Sequence, residues 1–250
     1  MAIVRRSDQV QSDRYPGIKR YAMTGASTGS TMLHIGDLTY APGASVPYHL
    51  HPHAEETQYM VEGELECWFD GKRFTVRAGD AVLSPAGVPH GFVNRSGKPA
   101  RQITIFPMIN PVTNDLMDQK LEPKLVDGVP GKHVSFRSQM KPFEFRPGVS
   151  RYDMAGDFSG ARSTYLSELT FEPGAVAPNH FHPAHEESMF CLRGSLNAVY
   201  GLQNDLPLHT GDMFMCEKAV RHGIFNGSRE RATLLAIHPV LNPPPRVDVP

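Results

Sequence analysis

Short apolar runs of three to six residues alternate with polar turns along the whole chain. The runs are rich in β-branched and aromatic side chains and end at Gly, Pro, Asp or Asn, which is typical of β-strands. No segment keeps a 3.6-residue period over several turns, and residues 113–120 come nearest to a helical pattern. The pattern predicts an all-β protein with one helix-like connector at 113–120. The clearest predicted strands are 58–61, 64–69, 74–76, 81–83 and 102–106.

An internal repeat divides the chain into two similar halves. The segment LTYAPGA at 38–44 returns as LTFEPGA at 169–175, an offset of 131 residues. From Gly79 onward the offset is 132, which is a one-residue insertion of the kind that a turn tolerates. The repeat predicts two copies of one domain. The predicted division is an N-terminal arm at 1–36, a first domain at 37–122, a linker at 123–146 and a second domain at 147–250.

Composition and charge exclude several classes of partner. The formal net charge is −1 and no basic stripe is present, so we expect neither nucleic acid nor anionic lipid as a partner. No stretch approaches the roughly 20 apolar residues of a membrane helix, and no apolar run follows the N-terminal arginines to make a signal peptide. The three cysteines are far apart and lack CxxC spacing, so no disulfide framework is expected. We predict a cytoplasmic protein that binds a small molecule.

Histidines and glutamates recur at matching positions of the two copies. His49 and His51 are two residues apart, so on a strand both point to one face. Glu56 follows within the next bend or strand, and His90 comes from a separate hairpin. Three imidazoles and one carboxylate suit Zn, Fe, Ni, Mn, Co or Cu better than Ca or Mg, and they predict one divalent transition metal per domain. The eight predicted ligands are His49, His51, Glu56, His90, His180, His182, Glu187 and His222.

The same alternation predicts the walls of a pocket beside each metal. Side chains that continue inward from the ligands share their face of the strand. Four protein ligands around an ion that prefers six leave two positions open, which favours a catalytic metal over a structural one. The pocket would suit a flat or apolar small molecule that brings its own metal-binding oxygens. The predicted lining residues are Gln58, Met60, Phe92, Met189, Cys191 and Ile224.

The spacing of the first copy resembles both motifs of the cupin family. The second copy keeps all four ligand positions and their spacing. It has Glu217 and Ala219 where the motif has Pro and Gly, which predicts another path for the turn before His222. The repeated match covers most of the chain. In the first copy the matching positions are Gly43, His49, His51, Glu56 and Gly63, then Gly79, Pro85, Gly87, His90 and Asn94.

The resemblance to cupins implies two tandem jelly-roll barrels, each with its metal inside the barrel mouth. Because cupins with this ligand set catalyse several reactions, the fold does not decide the activity. The first expectation is a dioxygenase similar to quercetinases, acting with O2 on an enolic, phenolic or diketone-like substrate, with Glu56 and its counterpart Glu187 as catalytic carboxylates. An isomerase, decarboxylase or lyase of an α-keto acid-like metabolite is the second. A non-enzymatic binding protein is the third, and a homodimer is expected.

The two copies are not expected to be equivalent. The complete motifs of the first copy favour it as the catalytic site, with the second slower or structural. Histidines and glutamates that flank the ligands are interpreted as solvated turn residues or as partners of the ligands; these are His53, Glu55, His185 and Glu186. No role is predicted for His34, His133, His209 and His238.

Overall fold

The computed structural model describes residues 2–249, and these residues form an almost entirely β structure. Five 3-10 helices of three residues each connect strands: Arg6–Asp8, Ala26–Thr28, Gly131–His133, Arg137–Gln139 and Asp157–Ser159. None of the helices in this described part is long and apolar enough to cross a membrane. The strands are β1 (Ile3–Val4), β2 (Gln11–Ser12), β3 (Ile18–Thr24), β4 (His34–Tyr40), β5 (Ser45–Leu50), β6 (Glu56–Glu62), β7 (Glu64–Phe69), β8 (Lys72–Arg77), β9 (Ala81–Ser84), β10 (His90–Val93), β11 (Ala100–Phe106), β12 (Asn114–Asp115), β13 (Val126–Asp127), β14 (Val134–Ser135), β15 (Phe143–Arg146), β16 (Val149–Ala155), β17 (Tyr165–Phe171), β18 (Val176–Phe181), β19 (Glu187–Arg193), β20 (Ser195–Tyr200), β21 (Gln203–His209), β22 (Met213–Cys216), β23 (His222–Phe225), β24 (Ala232–His238) and β25 (Val247–Asp248).

These strands build two jelly-roll barrels, each from two sheets packed face to face. The N-terminal barrel has one sheet in the order β14-β9-β6-β11-β4-β3-β2 and a second in the order β12-β5-β10-β7-β8-β13. The C-terminal barrel has the sheets β1-β22-β19-β24-β17-β16-β15 and β21-β20-β23-β18-β25. The predicted all-β fold with two tandem jelly-roll barrels is confirmed. Each of the five clearest strands predicted from the sequence lies within an observed strand.

The segments predicted as an arm and a linker contribute strands to both barrels. At the N-terminus, β1 pairs with β22 of the C-terminal barrel, whereas β2 and β3 belong to the N-terminal barrel. Between the repeats, β13 pairs with β8 and β14 pairs with β9, while β15 already joins β16. The chain therefore crosses from one barrel to the other at each of these segments. The division into arm, barrel, linker and barrel stays a prediction.

The prediction of a helix at 113–120 is wrong. Residues 114–115 form the edge strand β12, which pairs with β5 opposite Leu50 and His49. The backbone N–H of Leu116 then donates to the carbonyl of Tyr48 at 2.9 Å. These hydrogen bonds to a sheet edge satisfy the backbone better than one isolated helical turn, which is marginal on its own.

The two barrels share an apolar core. Hydrophobic side chains from the β4 and β11 face of one barrel pack in a single buried cluster with those from β17, β19, β22 and β24 of the other. Burial of such side chains is the main favourable term in packing two sheets together. The most completely buried members of this cluster are Met23, Leu33, Ile35, Ile103, Ile105, Leu166, Phe190, Met213, Leu235 and Ile237.

Two buried carboxylates add polar contacts across the same interface. Glu55 accepts hydrogen bonds from the backbone N–H groups of residues 162 and 163, both at 2.8 Å. Glu186 accepts from the Ser30 hydroxyl at 2.6 Å and from the backbone N–H and hydroxyl of Thr31 at 2.8 and 2.7 Å. Both glutamates are 6% exposed, so the interpretation as solvated turn residues is wrong for them. Each carboxylate holds a loop of the opposite barrel.

Substitution of one of these carboxylates is expected to destabilise the protein. In Glu186→Gln, an amide NH2 replaces one carboxylate oxygen. It cannot accept the hydrogen bonds that Ser30 and Thr31 donate in the unaltered protein. The free energy of unfolding should therefore fall by roughly 2–4 kcal/mol. Urea denaturation of the metal-free protein measures this loss. The exposed Glu230→Gln is the matched control and should change the value by less than about 0.5 kcal/mol. A change equally small in Glu186→Gln would contradict the role of this carboxylate.

Candidate metal centres

Three strands of each barrel bring the predicted ligands together. His49 lies on β5 and His51 follows it directly, Glu56 begins β6 and His90 begins β10. In the β5–β10 ladder, His90 pairs opposite His49. The C-terminal barrel repeats this register, with His222 of β23 opposite His180 of β18. In each barrel one potential ligand atom per residue lies within 4.8 Å of those of the other three, and all eight residues are buried.

The turn that presents the third histidine is the same in both barrels. In the N-terminal barrel, Gly87 adopts a φ of 77° and donates its N–H to the His51 carbonyl at 2.8 Å. Ala219 adopts a φ of 62° and donates to the His182 carbonyl at 2.7 Å. The predicted different path is therefore wrong. The C-terminal barrel keeps the turn although an alanine in this left-handed region costs about 1–2 kcal/mol.

Backbone carbonyls orient the imidazoles of the N-terminal centre. The Nδ1 atoms of His49, His51 and His90 lie 2.8, 2.8 and 2.9 Å from the carbonyl oxygens of Pro47, Val112 and Val88. A ring that donates from Nδ1 to a carbonyl presents an unprotonated Nε2, the form that binds a metal ion. Two of these Nε2 atoms face the same Glu56 oxygen, His90 at 2.8 Å and His51 at 3.2 Å, and the latter makes no hydrogen bond.

The Glu56 carboxylate is buried among these rings. Its Oε2 atom also accepts a hydrogen bond from the Gln58 amide at 2.8 Å. Burial would raise the pKa of Glu56, but the contacts with His51 and His90 hold this pKa well below its usual range. Burial, followed by repulsion from His90, lowers the pKa of His49 to about 3. One carboxylate surrounded by three imidazoles is the donor set that a divalent transition metal binds.

The C-terminal centre contains two additional histidines, His185 and His238. The sequence reasoning gave no role to His238 and interpreted His185 as a solvated turn residue or a partner of the ligands; the structure buries His185. The Nε2 atoms of His182 and His222 each lie 3.0 Å from Glu187 Oε2, and that of His180 lies 3.8 Å away. His238 adds its Nε2 at 3.5 Å from the other Glu187 oxygen. His185 places its Nε2 3.2 Å from Nδ1 of His238. The signal was in the repeat, because the matching positions of the first copy are Ala54 and Phe106.

The cavities beside the two centres differ in size. The N-terminal cavity has a volume of about 490 Å³ and reaches His49, His51 and Glu56. The C-terminal cavity has a volume of about 120 Å³ and is lined by His238 and Arg151, among others. The N-terminal cavity is also lined by Ser12, Arg14, Tyr15, Asn110, Pro111 and Thr113. The segment predicted as an arm thus forms part of this site.

Three of the six predicted pocket residues line these cavities. Phe92 lines the N-terminal one, and Met189 and Ile224 line the C-terminal one. Met60 and Cys191 belong instead to the apolar cores of their barrels, because the shared strand face continues from the mouth into the core. Gln58 lies behind Glu56 and donates to it rather than facing the cavity.

Two side chains that carry hydrogen-bond donors, Arg20 and Gln102, line the N-terminal cavity. Arg20 contacts Nε2 of His34, and no carboxylate among residues 2–249 lies within ion-pair distance of its guanidinium. Burial, followed by the charge of Arg20, lowers the pKa of His34 to about 4. Gln102 accepts from the Tyr40 hydroxyl at 2.9 Å, while its buried Nε2 has no partner. A buried donor without a partner is costly, so this wall is suited to a ligand that carries oxygen acceptors.

The C-terminal cavity lacks counterparts of these two donors at the matching positions, although Arg146, whose Nε is buried without a hydrogen-bond partner among residues 2–249, also lines it. Arg151 occupies the position of Arg20 in the repeat, but Asp153 neutralises it at 2.5 Å. The residue that matches Asp153 is Ala22, and the residue that matches Gln102 is Leu234. The two sites therefore share their metal-binding frame and differ in the surroundings of that frame.

Comparison with known proteins establishes the family. The sequence profile of the cupin domain matches residues 36–106 and 167–238, more than half of the chain, so the protein belongs to the cupin family. Its two buried groups of three histidines and one glutamate are sites for divalent metal ions, one in each barrel.

Individual relatives cover smaller parts of the chain. The tetracenomycin polyketide synthase protein TcmJ of Streptomyces glaucescens is 31% identical over 102 residues, which are 41% of this chain and 68% of TcmJ. The polyketide synthase protein CurC of Streptomyces cyaneus is 34% identical over 87 residues, 35% of this chain and 56% of CurC. Quercetin 2,3-dioxygenase of Bacillus subtilis is 35% identical over 68 residues, 27% of this chain and only 20% of that enzyme.

Solved structures extend the likeness in fold to the whole chain. Oxalate decarboxylase of Lactobacillus farciminis, in a formate complex, superimposes with a TM-score of 0.81 over 100% of this chain and 88% of that one. The sequence identity is 18%, so this likeness concerns the fold alone.

Buried neutral histidines make the metal-free protein sensitive to acid. Burial lowers the pKa of His34, His185 and His238 to about 4, whereas an unfolded histidine titrates near 6.5. Between these values the unfolded chain binds protons that the folded chain does not, so stability should fall as the pH falls from about 6.5 to about 4. Urea midpoints of the metal-free protein across this range measure the effect.

The variant His238→Phe, which copies Phe106 of the first barrel, removes one of these buried histidines and so isolates its contribution to the pH dependence. It should flatten the dependence of the unfolding free energy on pH by up to about 1.4 kcal/mol per pH unit. His53→Ala, at an exposed position, is the control and should leave the slope unchanged. A midpoint that is constant or rises with acidification would contradict the account.

Proposed function

We propose that the N-terminal barrel is the active site of a metal-dependent dioxygenase whose substrate is a small molecule with enolic, phenolic or β-diketone oxygens. The observation that carries the proposal is the 490 Å³ cavity, which is lined by the predicted metal ligands His49, His51 and Glu56. Arg20, without a carboxylate partner among residues 2–249, and Gln102, whose buried Nε2 lacks a partner there, line the same cavity. A flat substrate with two or more oxygens would reach both the metal and these donors. The apolar walls, which include Phe92, would bury the rest of it.

The residues of the N-terminal centre divide into distinct roles. His49, His51, His90 and Glu56 would hold the metal, which supplies a Lewis acid that polarises substrate oxygen and, with a redox-active ion, a partner for O2. Glu56 takes the proton of the enol or phenol O–H, since its carboxylate is the base that borders the cavity. The Gln58 amide keeps that carboxylate oriented while it carries the proton.

Arg20 and Gln102 position the substrate. The guanidinium charge favours the deprotonated substrate oxygen over the neutral one, and the Gln102 amide donates to a second oxygen. The largely apolar walls would lower the effective dielectric around both contacts, which strengthens them. Arg20 therefore contributes to substrate affinity and to the acidity of the bound enol.

The C-terminal centre is proposed to be structural. Its cavity is too small for a substrate of this kind, and His238 lies next to the Glu187 carboxylate on the side where a ligand would enter. Position 58 of the first copy corresponds to Met189, so Glu187 has no amide donor to orient it as a proton carrier. Glu187 is thus a metal ligand rather than a catalytic base.

The relatives support this choice of substrate class. One is named a quercetin dioxygenase, and two are named polyketide synthase proteins. Flavonols and polyketides share enolic, phenolic and β-diketone groups. A second candidate, the non-oxidative decarboxylation or isomerisation of an α-keto acid, is favoured by Arg20, which has no carboxylate partner among residues 2–249 and is equally suited to a substrate carboxylate.

Oxygen consumption tests the proposal. Protein purified without a histidine tag and reconstituted with each of Fe, Mn, Co, Ni and Cu should consume O2 with at least one flavonol, catechol or β-diketone. In Glu56→Gln, kcat should fall about 10²-fold or more, because the base is lost. Arg20→Met should raise KM about tenfold or more, because a charged hydrogen bond is lost.

The repeat offers matched controls for both variants. Glu187→Gln and Arg151→Met change the corresponding positions of the other barrel and should leave kcat and KM nearly unchanged. Turnover of a keto acid without O2 would establish the second candidate instead. Loss of activity in Glu187→Gln but not in Glu56→Gln would place catalysis in the C-terminal barrel.

A further inference from the structure

A second group of potential metal ligands lies beside the C-terminal centre. One nitrogen each of His182, His185 and His238 lies within 4.8 Å of the others. Within residues 2–249, the N-terminal barrel has no such group, because Ala54 and Phe106 occupy the positions of His185 and His238. These two histidines are therefore specific to one copy of an otherwise shared frame.

His182 belongs both to this group and to the group around Glu187, and one of its ring nitrogens has no hydrogen-bond partner among residues 2–249. In the N-terminal barrel, Nδ1 of His51 is tied to the Val112 carbonyl at 2.8 Å. The equivalent atom of His182 is buried and has no hydrogen-bond partner, while Nε2 of the same ring faces Glu187. Because the two ring nitrogens point in opposite directions, Nδ1 of His182 faces away from the cupin metal position. The His185 ring lies close to it, with 4.5 Å between the ring centroids.

The two ring nitrogens of His238 also face different groups. Its Nε2 faces a Glu187 oxygen, and its Nδ1 lies 3.2 Å from Nε2 of His185. Two nitrogens bound to one tetrahedral ion at about 2.0–2.1 Å are separated by roughly 3.3 Å, so this spacing suits a common ion. The remaining nitrogen of His185 is also buried without a partner. The cluster thus has more buried nitrogen atoms than its internal hydrogen bonds satisfy.

We propose that the C-terminal barrel has a second position for a divalent transition metal ion, held by His182, His185 and His238, with His182 shared between the two ions. Three imidazoles suit Zn, Co, Ni or Cu, and water completes the shell. Binding at both nitrogens of His182 requires its ring proton, which is released to solvent as the ion binds. The two C-terminal positions then form a dinuclear centre, unlike the single position of the N-terminal barrel.

Metal stoichiometry tests this proposal without reference to turnover, so its outcome is separate from that of the proposed dioxygenase activity. His49→Ala with His51→Ala removes the N-terminal position, and titration of this metal-free variant with Co²⁺ then reports on the C-terminal barrel. Two equivalents per chain are expected. Adding His185→Ala and His238→Phe, the residues found in the first copy, should leave one.

The control adds His53→Ala and His209→Ala to the same background, which removes two exposed histidines and should still leave two equivalents. Saturation of the background variant at one equivalent would overturn the proposal, and so would two equivalents that persist without His185 and His238.

A measurement on the unaltered cluster guards against misfolding of the quadruple variant. Two Cu²⁺ ions joined through one imidazole ring couple magnetically. The spin-integrated EPR signal of the background variant should therefore account for less copper than elemental analysis finds. A signal that accounts for all of the bound copper would show that no ring is shared and would overturn the proposal.

Discussion

The burial of one carboxylate among imidazoles at the mouth of each barrel is the constraint on which the rest of this structure depends. A buried anion without compensation is strongly unfavourable, and an imidazole whose Nε2 is unprotonated supplies neither a charge nor a donated hydrogen bond to it. A divalent cation resolves this imbalance. The barrel provides the geometry: strand alternation puts His49 and His51 on one face, and backbone carbonyls fix the rings so that their Nε2 atoms converge. The metal centre is therefore a property of the sheet register as much as of the ligands.

The same arrangement of metal ligands occurs in both barrels, and the two copies differ around it. Both barrels keep the ligands, the turn before the third histidine and the reciprocal carboxylates Glu55 and Glu186. The side chains around the centres differ between the two barrels. Arg20 faces the N-terminal cavity without a carboxylate partner, whereas Arg151 is neutralised by Asp153. The first site thus has the larger space for a ligand beside Arg20 and Gln102, while His185 and His238 add further metal-binding groups to the second.

Much of the fold and of the ligand set could be predicted from the sequence because both are encoded locally. Strand periodicity and a repeated spacing of histidines do not depend on which strands meet. The features that the sequence did not predict depend on contacts between residues that are far apart in the sequence. The two-residue strand β1 is too short to carry a pattern, and its partner β22 lies about 210 residues away. Glu55 looked like a turn residue because its partners belong to the other barrel. His238 ends a strand of the second repeat, and only its contact with Glu187 reveals its place in the centre.

The central claim is that the N-terminal barrel holds a metal ion whose open positions face the substrate cavity. Anomalous diffraction at the absorption edge of the bound metal tests it most directly. The account predicts a peak about 2.0–2.2 Å from the Nε2 atoms of His49, His51 and His90 and from a Glu56 oxygen, with the remaining positions directed toward Arg20. The absence of a peak in this barrel after metal loading would contradict the account. An ion whose every position is filled by protein atoms would contradict it equally.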